Sequence, residues 1–129
     1  MQSKINPALE RGEIVITDRY FDSSVAYQGA GRELSMEEVR NLSLWAVGGL
    51  LPHLTVLLDL PADVARSRRN NTGVAPDRLE SEKIEFFERA RQAYLQLAKN
   101  EPERFLVIDA AESIESMHNQ IRARISGLI

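Results

Sequence analysis

Continuously apolar runs occur three times along the chain, as IVIT at 14–17, LTVLLDL at 54–60 and FLVID at 105–109. They are short, rich in Val, Ile and Leu, and lack polar alternation, which predicts strands buried on both faces. An aspartate stands at or just past the C-terminal end of each: Asp18, Asp59 and Asp109. Between the runs the spacing becomes helical. Ser35-Met36-Glu37-Glu38 has the S-x-x-E form of a capping box, and the helix it opens is expected to end near Gly48-Gly49, before Pro52. Pro61 suits the first turn of a helix running to about Asn70, and Asp77 stands three residues before Glu80, again the spacing of a cap. Ile84, Phe87, Ala90, Tyr94, Leu97 and Ala98 then recur at helical spacing. Ser113 opens a last helix, lined by Ile114, Met117, Ile121 and Ile125. Ahead of the first run, 5–11 reads as the tail of a helix stopped by Gly12.

Strands that alternate with helices imply right-handed crossovers, and so an α/β fold with a parallel sheet flanked by helices. In such sheets ligands bind beyond the carboxyl ends of the strands. Asp18, Asp59, Asp109 and the polar, aromatic stretch DRYFDSSVAYQG at 18–29 are therefore expected on the functional edge. The segment 70–76, NNTGVAP, has the composition of an exposed mobile loop between two helices. Residues 1–129 read as one domain without repeat or linker. Three strands make a thin sheet for this many helices, so the sheet is expected to be incomplete at its N-terminal side.

Composition narrows the function. At 129 residues and 43% hydrophobic, the chain can bury a core of its own. A net charge of -3 argues against a general nucleic-acid binder, whose affinity rests on surplus Lys and Arg, so any phosphate recognition must be local. Cysteine is absent, which removes disulfides and thiolate metal sites. No apolar run is long enough for a membrane helix, and the N-terminus lacks the apolar core of a secretory signal, so the expected location is the cytoplasm.

The candidate chemistry lies in two clusters. Arg19 follows a strand end, where a planar guanidinium can fork onto a phosphate or carboxylate; the plainer reading is a surface pair with Asp18 or Asp22. Ser24, Tyr27 and Gln28 fall at i, i+3 and i+4, so on a helix they share a face suited to a planar base. The plainer reading has Ser23 or Ser24 capping that helix and Tyr27 in the core. Arg66, Arg68 and Arg69 precede the 70–76 loop and Arg78 follows it, an arrangement that suits a lid over a polyphosphate or, more plainly, a solvated helix face. His53 and His118 have no partner pattern for catalysis or metal, and Trp45 reads as core or subunit interface.

Taken together, IVITDRYFDSSVAYQGAGR, LLPHLTVLLDLPADVARSRR, APDRLE with EFFERARQAYLQLA, and FLVIDA resemble the thymidylate kinase family, in the family's order and over nearly the whole chain. The resemblance implies a three-layer, P-loop-kinase-like parallel sheet and transfer of the ATP γ-phosphoryl group to dTMP, forming dTDP for dTTP synthesis. It further implies Mg²⁺ accompanying ATP. Independently, an incomplete sheet exposes an edge and an apolar surface that favour association, so a homodimer or other homo-oligomer is expected, without nucleic-acid or membrane partners. Matched by position, Arg19 would bind the dTMP phosphate, with Asp18 orienting it or working near the metal. Ser24 and Gln28 would face the thymine edge, and Tyr27 would pack by the deoxyribose and disfavour a 2′-hydroxyl. The lid would span about 66–80, with Arg66, Arg68 and Arg78 toward ATP and Asp77 and Glu80 at its end. Asp109, Ala110 and Ala111 would lie in the adenine loop.

Two departures qualify the resemblance. The lid from Asn70 to Pro76 carries no arginine, where many bacterial members place a catalytic one. The sequence also contains no G-x-x-x-x-G-K-[ST], the loop whose backbone N–H groups and Lys cradle ATP phosphates. The chain is therefore expected to correspond to the C-terminal part of such an enzyme, carrying the acceptor site and lid, and to be a poor catalyst alone. The competing expectation is a non-catalytic remnant that binds a nucleotide or associates with other chains. A kinase for a different small phosphorylated acceptor is a third reading.

Overall fold

The computed structural model describes residues 2–31, 35–70 and 78–129, without the side chains of residues 2, 30, 31, 70 and 78–82. In order it contains α1 (Gln2–Glu10), α2 (Phe21–Gly31), α3 (Met36–Ala46), β1 (Thr55–Asp59), α4 (Ala62–Asn70), α5 (Arg78–Asn100), β2 (Phe105–Asp109) and α6 (Ile114–Ser126). The capping box predicted at Ser35 is made in both directions: Ser35 Oγ accepts from the Glu38 amide at 3.2 Å, and Glu38 Oε2 accepts from the Ser35 amide at 3.2 Å. Two helices stop where glycine was expected to stop them. After α3 the Gly49 amide returns to the Leu44 carbonyl at 2.9 Å and the Gly48 amide to Trp45 at 3.0 Å. After α1, Glu13 and Gly12 make the same pair of bonds to Ala8 and Leu9. Gly48 and Gly12 take φ of 63° and 77°, the left-handed geometry this ending requires.

β1 and β2 pair in parallel with Thr55 opposite Phe105 and Asp59 opposite Asp109, so two of the three predicted strands form. The run at 14–17 does not. Ile14 and Ile16 are 71% and 89% exposed, and no strand of the described residues lies beside them. The reason is physical: apolar, β-prone composition favours a strand only when a neighbour supplies the ladder. The expected burial on both faces is also incomplete, since Leu58 and Val107 remain exposed.

The core gathers Phe21, Val25, Val39, Leu97, Ala98 and Phe105, with Tyr20, Met36, Leu44, Val47 and Leu57 packed around them. It lies where α2, α3 and α5 meet the start of the sheet. Gly29 permits the close approach of α3 to α2, for a Cβ there would stand 2.7 Å from Met36 Cγ. Trp45, read from sequence as core or interface, is not core: it is 80% exposed.

Candidate functional site

The 18–29 stretch opens with a strained residue. Arg19 has φ of 65° and is the one non-glycine residue with positive φ among those described. That geometry costs a side-chain-bearing residue about 1 to 2 kcal/mol, so its surroundings must hold it there. Thr17 Oγ1 donates to the Arg19 carbonyl at 3.1 Å, and the Tyr20 hydroxyl donates to the Leu50 carbonyl at 3.2 Å. Burial raises the Tyr20 hydroxyl's pKa. The chain then enters α2, whose first turn buries Phe21 and Asp22.

Along α2 the aromatic and hydroxyl groups converge on α5. The Tyr94 hydroxyl donates to Ser23 Oγ at 2.7 Å. Tyr27 meets the Tyr94 ring edge-on, with centroids 6.0 Å apart at 88°, and lies tilted against Phe86 at 6.0 Å. The Arg19 guanidinium carbon lies 5.5 Å from the Tyr27 ring centroid, within cation–π range. Burial raises the Tyr94 pKa, against the smaller opposing effect of the bond to Ser23.

These groups open onto a cavity of about 1020 Å³. Asp18, Arg19, Ser23, Tyr27 and Tyr94 line it, as do Asp59 and Arg66. Apolar side chains complete the wall, among them Ile16, Val56, Leu58 and Phe87. Asp59 is committed: both of its oxygens accept from Arg91, at 2.8 and 3.2 Å, and Arg91 also holds Glu88 at 2.8 Å. Glu88 in turn accepts from the Ala62 amide at the start of α4 at 3.2 Å. The pair raises the Arg91 pKa, with the Asp59 hydrogen bond its largest cause. Of the three aspartates predicted at strand ends, Asp59 thus braces α5 against the sheet.

Beyond β2 the Asp109 carboxylate accepts from the Ala111 amide at 2.9 Å and fixes the turn. The Ala110 amide donates to the Asp59 carbonyl at 2.8 Å, and Arg68 donates to the Ala110 carbonyl at 3.0 Å. The structure therefore brings Arg68 of α4 together with the 109–111 turn, and brings Arg66 together with Arg19, Asp18 and Tyr27 around the cavity. It leaves Ser24 and Gln28 exposed and outside the cavity lining. Asp77 lies outside the described residues, while Arg78 and Glu80 stand in the first turn of α5 with side chains outside the description. Sequence reasoning missed Ser23 as a partner and Tyr94 as a lining residue. The available signal was a tyrosine on a core stripe, whose hydroxyl needs a polar partner when buried. Among the described residues no group of three His, Cys, Asp or Glu could hold a metal ion.

The family model described as Thymidylate kinase matches residues 1–121. A protein of Leifsonia xyli subsp. xyli named thymidylate kinase is 57% identical over 125 residues, 97% of this chain and 59% of the relative. One of the same name from Clavibacter michiganensis subsp. michiganensis is 57% identical over 129 residues, 100% of this chain and 61% of the relative. A third, from Bifidobacterium longum subsp. infantis, is 54% identical over 125 residues, 97% of this chain and 52% of the relative. The chain thus spans about three fifths of the first two relatives' length and half of the third's.

Proposed function

Because the chain belongs to the thymidylate kinase family, we propose that it carries the dTMP-binding side of an enzyme that moves the γ-phosphoryl group of ATP onto dTMP. The observation that carries this reading is the convergence of Arg19, Asp18 and Tyr27 with Arg66 on one cavity. Arg19 presents a fork of N–H donors that suits a phosphate monoester. Its strained backbone, fastened by Thr17 and Tyr20, directs that fork at low reorganisation cost. The Tyr27 ring, held edge-on by Tyr94, offers a flat wall for the sugar. Arg66 adds positive charge on the same cavity, and Arg68 ties the start of the lid to the 109–111 turn assigned to adenine.

Phosphoryl transfer of this kind depends on positioning and charge stabilisation more than on covalent chemistry. Mg²⁺, arriving with ATP, would neutralise charge on the transferring phosphates. The described residues fit that role in one respect: Mg²⁺ at nucleotide sites commonly rests on one or two carboxylates plus phosphates, so an all-protein cage is not needed, and exposed Asp18, which would either orient Arg19 or work near the metal, is a carboxylate that could serve. Arg19 then holds the acceptor phosphate, and Arg66 with Arg68 holds the donor side.

Calorimetric titration of the chain with dTMP tests the reading, with Arg19→Ala and a ribonucleotide as controls. Saturable binding is expected, abolished in the variant and weaker for the ribonucleotide. Wild-type binding that Arg19→Ala leaves unchanged would overturn the assignment of Arg19. A second reading, association with other chains through an apolar flank, is favoured by the exposure of Ile14, Ile16 and Leu58 beside the same cavity.

A further inference from the structure

We propose that Arg104 is a positioning residue for Arg19, acting through Asp22 to hold the turn in which Arg19 sits. The inference rests on the acceptor-site reading above and extends it to a residue remote in sequence. Arg104 lies just before β2 and its side chain is only 9% exposed. Its five N–H donors are all engaged. Nη1 and Nη2 fork onto the two Asp22 oxygens at 2.7 and 2.9 Å. Nη1 also reaches Thr55 Oγ1 at 2.9 Å, Nη2 reaches Glu101 at 2.7 Å, and Nε reaches Glu101 at 3.4 Å. The guanidinium carbon stands 4.5 Å from the Phe105 ring centroid and 5.3 Å from that of Phe21. One side chain thus joins the first turn of α2 to the C-terminal end of α5 and the start of β1.

The chemistry of the pair argues for direction over adhesion. A buried ion pair is often no more stabilising than well-packed apolar residues of the same volume, because both charges lose their water. What an Arg–carboxylate fork adds is a fixed geometry. Asp22 is three residues past Arg19, and only Tyr20 and Phe21 lie between. Tyr20 is fastened to Leu50, and Phe21 stacks beneath the Arg104 guanidinium. The strained Arg19 backbone is therefore clamped on its N-terminal side by Thr17 and on its C-terminal side by Tyr20 and the Asp22–Arg104 fork. Without the fork, hydrophobic burial of Phe21 and Val25 still holds α2 in the core. The turn before it is then free to relax to ordinary backbone geometry, and the guanidinium of Arg19 leaves its place over Tyr27.

The test uses the double variant Asp22→Leu with Arg104→Met, which leaves no orphaned charge at the pair and keeps Glu101 in contact with Arg40. Arg104→Lys serves as the conservative variant. Circular dichroism establishes that each is folded. NMR of the chain then reads the Arg19 backbone through its carbon shifts and intraresidue amide–Hα contact, without any ligand. The wild-type chain is expected to show the left-handed signature, Arg104→Lys to weaken it and the double variant to lose it. Affinity for dTMP is expected to fall about ten-fold in the double variant, the equivalent of the backbone strain no longer held. A folded double variant that keeps both the signature and the affinity would overturn the proposal, as would a wild-type chain lacking the signature. Should the double variant not fold, Arg104→Lys with the wild-type signature would overturn it equally. Absence of dTMP binding to the wild-type chain would count against the acceptor reading alone, since the backbone signature is read without ligand.

Discussion

Tyr94 occupies a position that helical periodicity marks as core, yet its hydroxyl lies 2.7 Å from Ser23 Oγ and its ring holds Tyr27 edge-on. Tyr94→Phe keeps the ring and deletes the bond. It should destabilise the chain by about 1 kcal/mol, the usual net worth of such a hydrogen bond, as a lower urea midpoint at unchanged slope. An unchanged midpoint would mean that the bond contributes nothing in solution. Glu101 gives a pH-dependent counterpart. Hydrogen bonding from Arg104 holds its carboxyl below the usual value of 4.5, with Arg40 adding to the effect against the cost of burial. A lowered folded-state pKa contributes stability that is fully present above the unfolded value and is lost as pH falls through the folded one. The thermal stability of the wild-type chain should therefore fall below about pH 4.5, and Glu101→Gln should flatten that acid limb. An acid limb of unaltered steepness in the variant would assign it to other carboxylates.

Helix ends were legible because they are written locally. Ser35 and Glu38 satisfy each other's backbone, so Ser35→Ala should cost about 1 kcal/mol. Gly48 takes φ of 63° at the close of α3, and Gly48→Ala should cost about the same through backbone strain. Both are checked by urea unfolding, and a stability unchanged in either variant would mean that the helix end is held from elsewhere. The run at 14–17 shows the limit of local reading. Its residues favour a strand as strongly as those of β1, but β1 has β2 opposite its backbone and 14–17 has no strand partner among the described residues. Ladder bonds come from a neighbour, which composition cannot supply.

At the scale of the whole molecule, a two-stranded sheet leans on helices for stability, and its two strands each have an edge without a strand neighbour among the described residues. Ile14, Ile16, Leu58 and Ile129 expose apolar surface along the same cavity. Sedimentation of the chain should show association that rises with concentration, and the double substitution Ile16→Lys with Leu58→Lys should reduce it. A chain that stays monomeric at high concentration would remove the oligomerising reading. The sequence by itself determined the caps at Ser35 and Ser113, the two parallel strands, the α/β class and the family, because each is encoded in periodicity, capping chemistry or the ordered motifs around DRY and SSVAYQG. Tertiary structure alone decided that Asp59 is bound to Arg91, that Tyr94 meets Ser23 and that Arg104 reaches Asp22 across 82 positions. Those pairings depend on which helix faces pack together, and spacing along a chain does not record the distance between elements once they fold.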